Sequence, residues 1–387
     1  MQKTEKLWPD HRKPQEDELL SSWLVGLARA HGIKPHTFCD IAWPRKNVWN
    51  RDVDKSVDEE ILKTLAARTG ASREQTFQTT LRSYEGAITE RHNVNGHSRW
   101  ILPVGVYHRT RTRFGLQFCP RCLAEDRIPY FRKRWRLAFV TVCSQHGCLL
   151  LDRCPACGDA ISLHRNGLEA QSLAQCSTCH SDFRSFTPHT DQHTEEQVRF
   201  KANLMKAVHT YHFPLSPTEH VYAHLFFTGL HKIVSMLACR RKGPVLRGFF
   251  KDKTPYHEER FSHQTQRLDL FWLNTQARFS LLAMADWLLT DWPARFMEFG
   301  RETGLTSSDL RMDMRGVPFW YERVVMEHFY RPDHVPTPEE VRSAIIHLRQ
   351  NNQPVTKTTV SKLLGVRQTF RNRPELLDLL THPRKNP

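Results

Sequence analysis

No stretch of this 387-residue chain approaches the roughly 18 consecutive apolar residues that a membrane-spanning helix requires. The longest candidate, Phe279 to Leu289, is too short and carries Asp286. The first residues, Gln2, Lys3, Thr4, Glu5 and Lys6, lack the apolar block of a secretory signal. Neither an integral membrane protein nor a secreted one is therefore expected. Catalytic signatures are missing as well. There is no G-x4-G-K-[ST] phosphate loop, no H-E-x-x-H helix and no G-x-S-x-G nucleophile elbow. The 22 histidines are scattered, and lone ones such as His224 and His231 read as packing or surface residues. The expectation is a protein that is not an enzyme. A metal-dependent nuclease built on scattered carboxylates is the one catalytic reading left open.

Acidic residues are also short in number: 41 against 56 lysines and arginines, a net charge of +15. The excess is clustered. Residues 101–165 hold eleven basic and four acidic residues, and residues 341–387 hold nine and two. Clustered positive charge draws a polyanion and speeds encounter with it, so DNA is the expected partner. With 39% hydrophobic residues the chain can still bury cores, and disorder is excluded.

Ten cysteines are present, and eight of them fall between Cys119 and Cys179. In a chain expected in the cytosol, such clustering points to metal rather than disulfides. Two patterns follow one another: Cys119-x2-Cys122-x20-Cys143-x2-His146 and Cys154-x2-Cys157-x18-Cys176-x2-Cys179. Each pairs two two-ligand knuckles, which complete a tetrahedron of the kind that favours Zn2+. Cys148 competes with His146 as fourth ligand of the first set. Four protein ligands leave no place for reactive water, so two structural zinc ions are expected. Cys39 and Cys239 lie on helical stretches and read as buried apolar residues.

The expected fold class is mostly α, with small zinc-ribbon β elements. Residues 1–100 read as an N-terminal helical domain of helix-turn-helix type. Leu19, Leu20, Trp23, Leu24, Leu27 and Ala28 recur at helical spacing up to Gly32, and a second helix starts at Pro35. Ile61, Leu62, Leu65 and Ala66 form another stripe ending at Gly70, and Ser72 with Gln75 makes a capping box. Residues 101–190 form the tandem metal module. Residues 191–387 form a C-terminal helical domain, with stripes such as Val221, Leu225, Phe226, Leu230, Ile233, Val234 and Leu237, and core aromatics including Phe271 and Trp272. Arg240 to Lys253 reads as a basic linker or loop. A last unit starts near Thr337 and ends in a helix-turn-helix-like stretch. Basic residues offered to nucleic acid or a partner are Arg132, Lys133, Arg134, Trp135 and Arg136 on the loop between the first two knuckles, and Lys357, Lys362, Arg367, Arg371 and Arg373 near the end.

Six segments together resemble the TniQ/TnsD family of transposon target-selection proteins. They are Pro14–Leu24 (PQEDELLSSWL), Thr80–Gly86 (TLRSYEG), Phe118–Leu123 (FCPRCL), Tyr130–Leu137 (YFRKRWRL), Cys143–Gly147 (CSQHG) and Leu150–Gly158 (LLDRCPACG). The resemblance covers residues 13–180 and is loose beyond. It implies a non-catalytic adaptor that recognises an insertion site, or a complex bound there, and recruits an AAA+ ATPase and then a transposase. It further implies zinc on the two ligand sets named above. The partners implied are DNA or an RNA-guided Cascade complex, the transposon ATPase and a second copy of the chain. The rival reading is a stand-alone zinc and helix-turn-helix transcriptional regulator.

Overall fold

The computed structural model describes residues 6–106, 113–188, 195–253, 270–331, 334–366, 370 and 373–381. The chain divides into two compact units, Met1–His328 and Phe329–Pro387. Arg367 and Arg371 lie outside the described residues.

In the first unit, the apolar stripe from Leu19 onward forms α1 (Leu20–Ala30), with Leu20, Trp23, Leu24 and Leu27 fully buried. Gly32 follows at φ +69°, a left-handed turn that costs glycine little. Next come α2 (Pro35–Ala42), α3 (Val53–Ser56), α4 (Glu59–Thr69) and α5 (Arg73–Gln78). Local chemistry sets the limits of the last two. Asp58 caps α4 and Gly70 closes it at φ +69°, while Ser72 and Gln75 form the capping box that opens α5. Residues 85–188 carry one helix, α6 (Pro120–Glu125), several 3-10 turns and isolated bridges such as Ile101 to Leu137, Phe118 to Leu151 and Val142 to Leu149.

Helices then return as α7 (Glu195–Thr210), and an antiparallel pair follows, β1 (His212–Pro214) with β2 (His220–Tyr222). Beyond it lie α8 (Ala223–Ala238), α9 (Gly243–Gly248), α10 (Thr275–Thr290), α11 (Ala294–Glu302), α12 (Ser307–Arg311) and α13 (Phe319–His328). Val221, expected on a helix, pairs instead with Phe213 and points inward from the hairpin. Its alternation with exposed His220 and Tyr222 is the period of two that a strand requires. The basic segment 240–253 contains α9 rather than a bare loop. α10 is buried on nearly every side, whereas α8 buries an apolar face and leaves His224, Thr228, His231, Lys232 and Ser235 half-buried on the other. Gly229 of α8 sits so close to the indole of Trp320 on α13 that a Cβ there would collide with it. Two expected core residues are not in the core. Cys239 is exposed, and Trp272 keeps 44% of its surface.

The expected boundaries at 100/101 and 190/191 fall inside this first unit. Polar ties cross them: the Trp100 indole donates to the Phe227 carbonyl (2.9 Å), and the Arg278 guanidinium donates to the Ala138 carbonyl (3.0 Å). Such buried bonds are costly to leave unmade, so the helical regions and the metal-binding stretch form one packed body.

The second unit holds α14 (Pro338–Gln350), α15 (Lys357–Leu363) and α16 (Pro374–Thr381). Its core is Val341, Ala344, Ile345, Leu348, Val360, Phe370 and Leu376. Thr337 and Thr356 open α14 and α15 with capping boxes.

Burial lowers His231 to about 4 from an ordinary 6.5, with Arg99 and Lys232 adding repulsion; burial likewise lowers His164 to about 4. Both groups bind protons less readily when folded. Their stabilising effect is complete above pH 6.5 and is lost as the pH falls toward 4. The melting temperature should therefore drop between pH 6.5 and 4, and His231→Phe should flatten part of that slope; an unaltered slope would show that His231 is not buried in its neutral form.

Candidate metal centres and the basic clamp beside them

The first ligand set closes around one point. Pro120 starts α6 and lets Cys119 and Cys122 face the same side, while the turn at Gly147 (φ +63°) returns Cys143 and His146 to them. His146 Nδ1 stands 3.4 Å from the sulfurs of Cys119 and Cys122 and 3.5 Å from that of Cys143. Cys122 and Cys143 Sγ are 3.5 Å apart. Bonds of about 2.3 Å to sulfur and about 2.0 Å to nitrogen place tetrahedral neighbours roughly 3.5–3.8 Å apart, so the cluster has the size of a four-coordinate zinc-like site. In the second set, Cys154 and Cys179 are 3.6 Å apart and Cys157 and Cys176 3.8 Å apart, which fits equally well. The four ligand atoms of each set lie within 4.8 Å of one another and could hold a metal ion.

His146 and Cys148 are separated by geometry. His146 touches three sulfurs of the set, and Cys148 Sγ touches that of Cys119 at 3.6 Å. On its far side His146 Nε2 meets Glu125 Oε1 at 2.9 Å, the carboxylate support that orients many ligating histidines. Glu125 escaped the sequence reading, although its place three residues after Cys122 on α6 puts it on the ligand side of that helix.

The loop between the first two knuckles does not present its cations to solvent, contrary to the sequence expectation. Arg132, Lys133, Trp135 and Arg136 are buried, and Arg134 is half-buried. Arg132 forms a two-pronged pair with Asp126 and lies over the rings of Tyr130 and Trp135. Lys133 donates to the Gln78 carbonyl and the Ser83 hydroxyl, both at 2.6 Å, and burial lowers it to about 8. Arg134 pairs with Asp17 at 3.3 Å. Trp135 packs edge-on against Phe131. Arg136, fully buried, reaches Asp52 (2.6 Å), Asp54 (2.8 Å) and the Leu102 carbonyl (2.8 Å). Asp54 in turn accepts from the Ser21 amide and hydroxyl at the start of α1. Burial pushes the Asp54 carboxyl up, and Arg136 and Ser21 pull it back. The basic and aromatic residues thus clamp the N-terminal helices onto the metal-binding stretch. Sequence spacing could not reveal this, because the acids that claim them lie 82 to 117 positions away for Arg136 and Arg134.

Lys357 and Lys362 on α15 are exposed, and Arg373 is half-buried. Another buried cation, Arg278, gave no sequence signal. It donates to the Leu273 and Ala138 carbonyls and to Gln117 Oε1, beside Thr275, which donates to Asp152.

Two expected outcomes follow from these contacts. Metal analysis of His146→Ala should show one bound ion fewer per chain, whereas Cys148→Ala should keep both; the reverse would make Cys148 the ligand. Arg136→Met strands the buried Asp54 carboxylate and the half-buried Asp52 and should cost about 3–5 kcal/mol in denaturant unfolding, far more than Arg184→Met at an exposed pair.

Comparison with known proteins bears on the same stretch. No curated protein matches the chain. The TniQ family model matches residues 9–150, a span that takes in α1 to α6, the basic clamp and the first ligand set, so the chain carries a TniQ domain.

Proposed function

We propose that this chain is a non-catalytic target-selection adaptor for DNA transposition. It holds target DNA, or a targeting complex already bound to DNA such as an RNA-guided Cascade, and it recruits an AAA+ ATPase and through it the transposase. The observation that carries the reading is the TniQ domain over residues 9–150, whose role is associated with selecting transposition targets. Zn2+ is the ion assigned to both ligand sets, because three or four thiolates in a closed tetrahedron suit it best. With every position taken by protein, the ions serve the fold, each stabilising it by on the order of 10 kcal/mol.

The inward-facing clamp moves the search for DNA contacts elsewhere. Lys357 and Lys362 lie on the exposed side of the small second unit, where residues 341–387 carry nine basic and two acidic residues. That charge supports contact with phosphate there, and the three-helix core supports a helix-turn-helix style of docking. The paired cations of the Arg132–Arg136 run are not available to phosphate, and the span matched to TniQ is the part that binds the ATPase or a second copy through protein contacts.

Binding of the purified chain to labelled duplex DNA across a salt series tests this reading. Lys357→Ala with Lys362→Ala should weaken binding and reduce the salt slope by about 2 if both residues meet phosphate. Pull-down with an AAA+ ATPase encoded beside the gene should survive that double change. Sequence-selective duplex binding with no ATPase capture would favour a stand-alone regulator instead.

A further inference from the structure

A cavity of about 210 Å³ opens between α8, α9 and the stretch around α12. It is larger than the roughly 150 Å³ space that admits one benzene and smaller than the roughly 300–1,000 Å³ of small-molecule sites, so it suits one large apolar side chain. Its apolar lining is Met236, Leu246, Leu305, Met312 and Met314. Methionine dominates that lining, and its unbranched thioether adapts to the shape of an inserted group. Met312 keeps 57% of its surface exposed, and Val245, next to Leu246, keeps 69%. Charge surrounds the opening. Lys242 pairs with Asp309, and Lys232 donates to the Met312 carbonyl at 2.8 Å. Asp313 is exposed on the same wall. Against that acid stand Arg99 on the wall and Arg240 and Arg241 next to Cys239, all exposed and without an ion pair among the described residues.

We propose that this cavity receives an apolar side chain from an acidic segment of a partner protein, with the flanking carboxylates meeting Arg99, Arg240 and Arg241. The site goes beyond the role read from the TniQ span, because all of its wall except Arg99 lies outside residues 9–150. A desolvated anchor with a polar rim is where protein interfaces concentrate their binding energy. Nucleic acid would satisfy the arginines and leave the methionine-lined cavity empty. Cys239 also lies on the wall and is exposed, which makes it a reporter of occupancy. Burial raises its thiol, but the amides of Lys242, Arg241 and Gly243 and the charge of Lys232 outweigh that and hold it below its ordinary value, a state that reacts readily with alkylating agents.

The test uses the full chain purified with zinc and three labelled peptides of about eleven residues: glutamates around a central leucine, the same with serine in place of leucine, and lysines around leucine. The glutamate–leucine peptide should bind at least about tenfold more tightly than either of the others. It should also slow alkylation of Cys239 by iodoacetamide, read by peptide mapping. Met312→Glu should weaken it about tenfold at an unchanged melting temperature, because Met312 is exposed. Arg240→Ala with Arg241→Ala should weaken it and flatten its salt dependence. Lys357→Ala with Lys362→Ala should change none of this. No binding of the glutamate–leucine peptide, equal binding of the serine peptide, or an unaltered rate of Cys239 alkylation overturns the proposal. Stronger shielding of Cys239 by a short DNA duplex than by the peptide would assign the patch to nucleic acid and overturn it as well. Each of these failures leaves the adaptor reading intact.

Discussion

The fully buried guanidinium of Arg136 is the constraint on which the first unit depends. A charge taken out of water must be matched locally, and here Asp52, Asp54 and the Leu102 carbonyl do so. Asp54 is in turn tied to the start of α1 through Ser21. One cation thereby fixes the relative placement of α1, α3, the stretch around Leu102 and the turn that precedes the second knuckle. Arg132, Lys133 and Arg134 repeat the device with Asp126, Gln78 and Asp17. Metal held by the two ligand sets would add local order where the chain has few helices and almost no paired strands.

A division of labour follows. Arg132, Lys133 and Arg136 are buried and paired within the first unit, whereas Lys357 and Lys362 on the second are exposed. Net charge of +15 is thus a misleading guide to how much of the surface faces nucleic acid.

Much of this was legible in the residues and some was not. Helix limits marked by Asp58, Gly70, Ser72 with Gln75, and Thr337 could be read because capping is decided by neighbours in sequence. The two ligand sets could be read for the same reason: a knuckle is a local object with fixed spacing. The Arg132–Arg136 run was misplaced because burial is decided by distant partners, and a run of cations gives no hint that carboxylates from another segment will enclose it. Val221 was placed on a helix because its apolar neighbours continue without a break into α8; the strand shows only in its alternation with His220 and Tyr222. Arg278 was invisible for a related reason, since a lone arginine on an apolar helix looks like a surface residue until its four acceptors are in place.

The tie made by Arg278 and Thr275 also bears on how such chains can diversify. The span matched to TniQ ends at residue 150, yet Gln117 and the Ala138 carbonyl inside it are satisfied from α10, well over a hundred positions further on. A recombination event that grafted a new C-terminal half onto this domain would leave those polar groups stranded unless the incoming half brought its own donor to the same place. A segment put in place of α10 is therefore compatible with this stretch only where it brings a donor to Gln117 Oε1 and the Ala138 carbonyl.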